Sequence, residues 1–359
     1  MADLLSGIWC DEGRLRSLRP RDWEVLIGQA RRSRLLARLA VHASAGPGGL
    51  AALPAPPRDY LAGALRLVQR QRRDVLFELH QMRQALGGLQ PLVLLKGAAY
   101  LLADLPPSRG RIFSDIDLLV SLPQLASAEN ALMGGGWISE ERDPYNQRYY
   151  RDWMHEIPPL THVQRLSVID LHHTIAPPTS RFRVDGALLM QRIRPIGSSG
   201  YHMLAPEDMV LHSAVHLYQE GEFDHGLRDL LDLHDLLIHF GRDADFWPTL
   251  LDRAAELRLG EPLTVLLAQR ERLFGIGAPS EHRAALVKLA PGWVRRVSIA
   301  ALLARALQPP HPACDTGLTR LARWLLYVRS HALRMPLRLL LPHLVRKAWR
   351  ARFASPPAE

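Results

Sequence analysis

The sequence has little cysteine and no long apolar run, and each scarcity argues against a class of protein. Its two cysteines, Cys10 and Cys314, lie far apart and lack the spacing of metal ligands. We therefore expect neither a disulfide framework nor a zinc finger. The low cysteine content favours a reducing compartment. The apolar runs are all far shorter than the roughly 18–20 residues that a membrane-spanning helix needs.

Acidic residues are absent from the last part of the chain. Between residues 316 and 358 there are nine Arg and Lys residues and no Asp or Glu. Such a basic segment attracts nucleic acid or an anionic membrane surface, and the competing interpretation is a solvated helical face. The first residues also lack the pattern of a secretory signal. We therefore expect a cytoplasmic protein without a transmembrane segment, with peripheral contact at the inner membrane face as an open alternative.

Hydrophobic periodicity divides the chain into three regions and predicts an α+β fold. Helical patterns cover an N-terminal region, residues 1–89, and a C-terminal region, residues 186–359, which includes the basic tail 316–359. Between them, residues 90–185 alternate short apolar runs with helical stretches, which predicts a core built on a small mixed β-sheet.

Short apolar runs bounded by turn residues predict the strands of this sheet. They lie at residues 91–95, 116–120 and 166–172, and residues 148–150 and 157–163 are expected to form a hairpin. The last helices are predicted around residues 317–335 and 337–353, separated by Pro336.

The most informative segment is the strand-like run from Ser114 to Val120. Asp115 and Asp117 alternate with apolar residues, so both carboxylates face one side of the predicted strand. Burying like charges side by side is unfavourable unless a cation lies between them. Carboxylate oxygens suit Mg²⁺, or Mn²⁺ in its place, which predicts a metal site.

A third carboxylate, Asp170, lies on the strand predicted for residues 166–172. Val168, Asp170 and His172 share one face of that strand. If the strand lies beside the one carrying Asp115 and Asp117, three carboxylates converge. Such a set can hold two ions about 3.5–4 Å apart, one at the attacking oxygen and one at the leaving oxygen.

A strand–turn–helix junction at Lys96-Gly97 supplies candidates for phosphate binding. A glycine there allows backbone N–H groups to approach a phosphate. Lys96, Arg109 and Arg111 are candidate cations for a triphosphate. Ser114 is a further candidate for the nucleotide site, although it is better suited to bracing the acidic strand than to acting as a nucleophile.

These motifs together resemble the polymerase-β-like nucleotidyltransferase superfamily, in particular its bacterial branch of uncharacterised nucleotidyltransferases. The matching segments are 95–99, 111–120 and 168–172, within a broader similarity over about residues 91–240. The resemblance implies Asp115, Asp117 and Asp170 as metal ligands, with Asp170 near the acceptor hydroxyl and Gly97 near the nucleotide phosphates. It implies Mg²⁺-dependent transfer of a nucleoside monophosphate from a nucleoside triphosphate to a hydroxyl.

The sequence departs from the superfamily at Ala98, where serine or glycine is usual, so a phosphate-binding hydroxyl is missing. A catalytically degenerate module that binds a nucleotide or a protein therefore stays open as an alternative. A metal-dependent phosphohydrolase is another. The acceptor is open among a sugar, a glycan, a protein side chain and RNA.

Several charged residues allow both a chemical and a structural interpretation. The pairs His172–His173 and His212–His216 have spacings that a transition metal could use, but packing or capping is the favoured interpretation. Asp232 and Asp235, on a later helical stretch, either face the cleft or form a salt-bridged helix surface, and the latter is slightly favoured.

Overall fold

The computed structural model describes residues 3–336 and 338–342. It confirms the α+β class, because a seven-stranded mixed sheet is flanked by helices on both sides along the chain. The boundaries predicted for the three regions stay predictions. The sheet itself continues past residue 185, since its last two strands lie within residues 194–203.

Four helices precede the sheet: α1 (Leu4–Cys10), α2 (Pro20–Arg32), α3 (Leu36–Ala45) and α4 (Ala55–Leu86). The longest, α4, buries a stripe that includes Leu61, Val68, Val75, Leu79 and Met82, at helical spacing. It ends at Gly87, whose φ of +54° favours glycine.

The strands are β1 (Val93–Leu94), β2 (Ile116–Leu119), β3 (Trp137–Ser139), β4 (Leu160–His162), β5 (Val168–His172), β6 (Arg194–Pro195) and β7 (His202–Met203). Their order across the sheet is β3-β4-β5-β2-β1-β7-β6. The central pair, β2 and β5, is parallel, as is the pair β1 and β7. The other four pairs are antiparallel.

The central strands alternate between core and solvent faces. Ile116, Leu118, Ile169 and Leu171 are buried in the hydrophobic core. Because side chains alternate along a strand, the residues between them face the other side of the sheet. The core therefore fixes which face of β2 and β5 carries the polar residues.

The predicted hairpin is wrong. Residues 149–153 form a turn of π-helix, and β4 pairs instead with β3 and β5. The partner strand β3 follows three consecutive glycines, and its three residues are too few to show a periodic pattern.

Four short helices accompany the sheet: α5 (Lys96–Leu102), α6 (Leu125–Gly134), α7 (Pro144–Arg148) and α8 (Gly186–Met190). The described residues after the sheet are mainly helical, as predicted, with α9 (Pro206–Gln219), α10 (Gly226–Phe240), α11 (Phe246–Glu256), α12 (Gly260–Phe274), α13 (Arg283–Leu289), α14 (Trp293–Ala306) and α15 (Gly317–Arg334). Almost every residue of α9 is buried, since α10, α11, α12 and α15 all pack against it.

The predicted helix over residues 317–335 corresponds to α15. The helix predicted over 337–353 lies largely outside the described residues. Among the described helices, none combines the length and the apolar character needed to cross a bilayer.

Candidate active site

A polar cavity of about 330 Å³ opens in front of the polar face of β2 and β5. Its lining comes from distant parts of the chain, including the start of α5, residues 154–156, helices α9 and α10, and the last residue of α15. The side chains that the sequence analysis singled out on β2 and β5 therefore open into one shared space.

The three predicted carboxylates all line this cavity. Asp115 directly precedes β2, Asp117 lies on β2, and Asp170 lies on β5. In the parallel pairing of the two strands, Asp117 and Asp170 are direct partners. The convergence follows from register, because pairing Ile116 with Ile169 in the core brings the next residue of each strand to the same face.

The protonation of these carboxylates reflects crowding of negative charge in a buried place. Burial, reinforced by Glu156 and Asp117, raises the pKa of Asp170 to about 8. Burial and the neighbouring Asp117 also raise the pKa of Asp115. Burial alone would raise the pKa of Asp117 as well, but the Lys96 charge and a hydrogen bond from His172 lower it overall. Only one of the three is thus well compensated by protein groups.

One carboxylate oxygen has no protein partner. Asp170 Oδ1 is buried and makes no hydrogen bond within the described residues. A buried acceptor without a partner is rare, because it loses its hydration without replacement. This atom is therefore an indication of a missing cationic or hydrogen-bonding ligand.

The turn between β1 and α5 places Lys96 and Gly97 at the cavity. Lys96 has a φ of +39°, an uncommon value for a residue with a side chain. A Cβ added at Gly97 would lie 3.0 Å from Arg111 Nε and 3.3 Å from the Phe113 ring. Gly97 is thus constrained by close packing of the cavity wall, in addition to any contact with a phosphate.

Ala98 does not line the cavity. It is buried at 1% exposure within the hydrophobic core. With this backbone, a serine hydroxyl at position 98 would point into the core, so the departure noted in the sequence removes no polar group from the cavity wall.

Arg111 is held in place by an acidic helix residue. Its guanidinium donates to Asp232 on α10 and lies 5.8 Å from the centre of the Tyr100 ring. Burial lowers its pKa to about 10. The preceding Gly110, with a φ of +74°, lies so close to the α3 backbone that a Cβ would be 2.6 Å from Arg38 Cα. This close approach positions the Arg111 loop.

The other two predicted cofactor-binding residues differ in position. Ser114 lines the cavity, and its hydroxyl hydrogen-bonds the Asp115 carboxylate. Arg109 is exposed and does not belong to the cavity lining, and its charge acts on Asp235.

Asp232 lines the cavity, as the cleft-facing alternative predicted, whereas Asp235 lies outside the lining and is ion-paired with Arg38. Asp232 is buried at 3% exposure and accepts hydrogen bonds from both Arg38 and Arg111, while Asp235 accepts from Arg38. The ion pairs were predicted correctly in kind, but their burial comes from the packing of α3 and the Arg111 loop on α10.

Sequence reasoning missed a group beside the acidic strand. His172 Nε2 lies 3.0 Å from Asp117 Oδ1 and 3.4 Å from Glu156 Oε2. His155, Glu156 and His172 each bring one potential ligand atom to within 4.8 Å of the others. The position of His172 was foreseeable, because it shares a strand face with Asp170, but Glu156 lies in a segment without any pattern.

The histidine pairs do not act as pairs. His173 points away from His172, and its Nε2 lies 3.1 Å from the carbonyl oxygen of Met154. His212 and His216 lie on α9 with ring centres 6.5 Å apart, and burial lowers the pKa of both well below the usual value.

The far wall of the cavity carries further charges. Arg228 and Asp229 form an ion pair at 2.7 Å, and Arg334 Nη2 lies 3.5 Å from Glu220 Oε1. Arg334 is the last residue of α15 and was counted only as part of the basic tail. Its place in the cavity depends on the packing of α15 against α9.

Fold and site together define an α+β protein that gathers buried carboxylates and several cations around one polar cavity. The chain belongs to the family of uncharacterised nucleotidyltransferases, whose model matches residues 19–275, well over half of its length. The resemblance inferred from the motifs is thereby confirmed, and at a coarse level it supports a transferase. Comparisons with curated proteins and with solved structures gave no match. Arg334 lies outside the matched segment.

Proposed function

We propose that the protein is a Mg²⁺-dependent nucleotidyltransferase that moves a nucleoside monophosphate from a nucleoside triphosphate to a hydroxyl. The observation that carries the proposal is the pairing of Asp117 with Asp170 across two parallel strands, with Asp115 beside them in a cavity that also contains Lys96. Family membership supports the transfer class.

The residues fit a hard divalent cation. All three candidate ligands are carboxylates, and Asp170 Oδ1 is buried with no hydrogen-bond partner among the described residues. A bound Mg²⁺ would neutralise charge on the phosphates and stabilise the negative charge on the attacking and leaving oxygens. Mn²⁺ prefers similar oxygen ligands and serves as a probe of the same site.

The chain's own residues would orient the substrate. Lys96, at the start of α5, and Arg228, on α10, both line the cavity and contribute positive charge to it. Arg111 is already bound to Asp232, so we expect it to contribute long-range charge and wall rigidity more than a new bond. Asp170, with its open oxygen, is the group we assign to the acceptor hydroxyl. Positioning and charge neutralisation dominate this type of transfer.

The donor is a nucleoside triphosphate, and the acceptor class is a sugar, a glycan, a protein side chain or RNA. The cavity volume of about 330 Å³ is at the small end of ligand pockets, which suits one nucleotide and the reacting end of a larger acceptor. We propose a cytoplasmic location, where triphosphates are available.

The first prediction tests the acidic strand directly. Asp117→Asn should abolish Mn²⁺ binding, measured by electron paramagnetic resonance, and should lower pyrophosphate release by on the order of a thousandfold. The matched control is Asp104→Asn, because Asp104 is exposed and does not belong to the cavity lining. The assay uses each common triphosphate with sugar, peptide and RNA acceptors.

The outcomes separate the competing functions. Release of inorganic phosphate without an acceptor would indicate a phosphohydrolase. Tight binding of Mn²⁺ and nucleotide with no turnover for any acceptor would indicate a degenerate binding module. Equal Mn²⁺ binding by wild type and Asp117→Asn would overturn the site assignment.

A further inference from the structure

Helix α15 presents apolar residues on the side that faces solvent. Its exposed stripe consists of Leu318, Leu321, Leu325 and Val328, at the spacing of one helical face, with Trp324 beside it. These side chains are between 38% and 59% exposed. We call them the outer stripe.

The opposite face of α15 packs against the protein and is itself partly apolar. It buries Thr319, Ala322, Leu326, Ser330 and Leu333. Apolar residues thus occupy both faces of α15, whereas a surface helix usually keeps polar residues on its outer face. A contiguous exposed apolar face of this kind marks an interaction surface.

The adjoining helix α14 carries a second exposed apolar group. Trp293 and Val294 are each 69% exposed, and Val297 is 46% exposed. The two helices pack against each other. Each carries one exposed tryptophan, Trp293 on α14 and Trp324 on α15. Tryptophan is enriched where a protein meets the boundary between lipid headgroups and acyl chains.

The surroundings of the outer stripe are strongly basic. Between residues 282 and 358 the sequence holds fourteen Arg and Lys residues, and Asp315 is the single acidic one. Arg305, Arg320 and Arg338 are exposed. Others are already used within the fold, since Arg329 donates to the Tyr218 carbonyl and Arg323 to the Gln308 carbonyl.

We propose that the outer stripe and the exposed residues of α14 form a docking surface for an anionic phospholipid bilayer. Such a surface offers an apolar layer for the leucines and tryptophans together with negative charge for the arginines. A second copy of the chain would bring two basic faces together, which like-charge repulsion opposes. Residues 343–359, which add four basic residues and one acidic residue, offer no charge complement either.

A nucleic acid would satisfy the arginines but not the aliphatic stripe. Its phosphates bind cations and its bases stack on aromatic rings, whereas leucine and valine side chains would stay in water. The proposal is independent of nucleotidyl transfer, because it rests on residues outside the cavity lining.

The test uses the full-length protein and co-sedimentation with vesicles of phosphatidylcholine alone or mixed with phosphatidylglycerol. Binding is expected only with phosphatidylglycerol and should weaken between about 0.1 M and about 1 M salt. Leu321→Glu or Trp324→Glu should weaken it by at least about tenfold. Arg320→Gln should weaken it by about fivefold.

Two control variants separate position from a general change of charge. Leu166→Glu makes the same change at an exposed leucine on the β4–β5 turn, and Arg70→Gln matches Arg320→Gln at an exposed arginine of α4. Both controls should bind like wild type. Circular dichroism melting of every variant verifies that the exposed substitutions leave the fold intact.

Several results would overturn the proposal. One is the absence of phosphatidylglycerol-dependent binding by the wild type. Another is binding to single-stranded RNA that is tighter than binding to vesicles and is unchanged in Leu321→Glu. A third is a dimer, seen by sedimentation, that Leu321→Glu dissociates. The last is vesicle binding that appears only after residues 343–359 are removed.

Discussion

The cavity concentrates negative charge that is buried, whereas the surroundings of the outer stripe concentrate positive charge that is exposed to solvent. Around the cavity, carboxylates are crowded together and withdrawn from water, and burial with neighbouring acids raises the pKa of Asp170 to about 8. Around the outer stripe, the charges are arginines, several of them exposed to solvent. Each region holds an excess of charge of one sign. Only in the cavity, where the charges are buried, must protein groups or a bound ligand compensate that excess.

The difference shows how a charge excess should be interpreted. An exposed excess is hydrated and screened, so it lowers stability little and acts mainly by attracting a partner. A buried excess is unfavourable by several kcal/mol per ion unless a partner compensates it. The protein supplies cations for some of the buried carboxylates, whereas Asp170 Oδ1 has no hydrogen-bond partner in the part of the chain that the structure describes.

The largest expected effect on stability comes from an Asp→Asn substitution in the cavity region, compared with the same substitution near the outer stripe. Asp232→Asn removes the shared partner of Arg38 and Arg111 in a buried network and should lower the free energy of unfolding by about 3–5 kcal/mol. Asp315→Asn removes an exposed partner 3.9 Å from Arg320 and should lower it by less than about 0.5 kcal/mol. Urea denaturation measures both, and equal losses would remove the distinction between the regions.

A second substitution tests whether the neighbours of the acidic strand position it. His172→Asn removes the hydrogen bond to Asp117 and should weaken Mn²⁺ binding by about 10–100-fold. His173→Asn is the matched control, because His173 is outside the cavity lining and its Nε2 lies 3.1 Å from the Met154 carbonyl oxygen. His172→Gln should recover part of the affinity, because its longer side chain places an amide donor nearer the position of His172 Nε2 than asparagine does. Unchanged binding in His172→Asn, with a normal melting temperature, would reduce His172 to a packing residue.

The smallest expected effect concerns a half-buried base, His234, on α10. Burial, with the charges of Arg270 and Arg38, lowers the pKa of His234 to about 4. The unfolded chain takes up this proton near pH 6.5, so the unfolded state binds more protons below that pH and stability falls as pH falls. The loss between about pH 7 and about pH 5 should be about 1–2 kcal/mol.

This pH effect is isolated by comparing variants in urea denaturation at both pH values. His234→Gln should lose less stability on acidification than the wild type, by the same 1–2 kcal/mol or so. His80→Gln, at an exposed position of α4, should behave like the wild type. If the stability of His234→Gln depended on pH as strongly as that of the wild type, the acid sensitivity would instead arise from buried histidines such as His212.

Much of the fold and part of the site could be predicted because their signals are local. The alternation of Asp115 and Asp117 with apolar residues was visible within seven positions, and Asp170 stood out in the same way on its own strand. The helical regions before and after the sheet followed from periodicity. The strand β3 and the π-helical turn at 149–153 could not be predicted, because neither is long enough to show a period.

The rest of the cavity was hidden because it depends on contacts between distant segments. Glu156 has no local pattern, and Arg334 looked like one more arginine of a basic tail. The partners of Asp232 come from α3 and from the Arg111 loop, more than a hundred residues earlier. Arg109 and Arg111 were equivalent candidates in the sequence, and packing alone separated the buried one from the exposed one.

The sequence by itself determined the α+β class, the acidic strand with its third carboxylate, and the basic character of the C-terminal region. Only the tertiary structure decided which charges meet in the cavity and which side of α15 stays in water. The physical reason is that periodicity assigns a residue to a face of its own strand or helix. What that face meets is set by the packing of elements far apart in the chain.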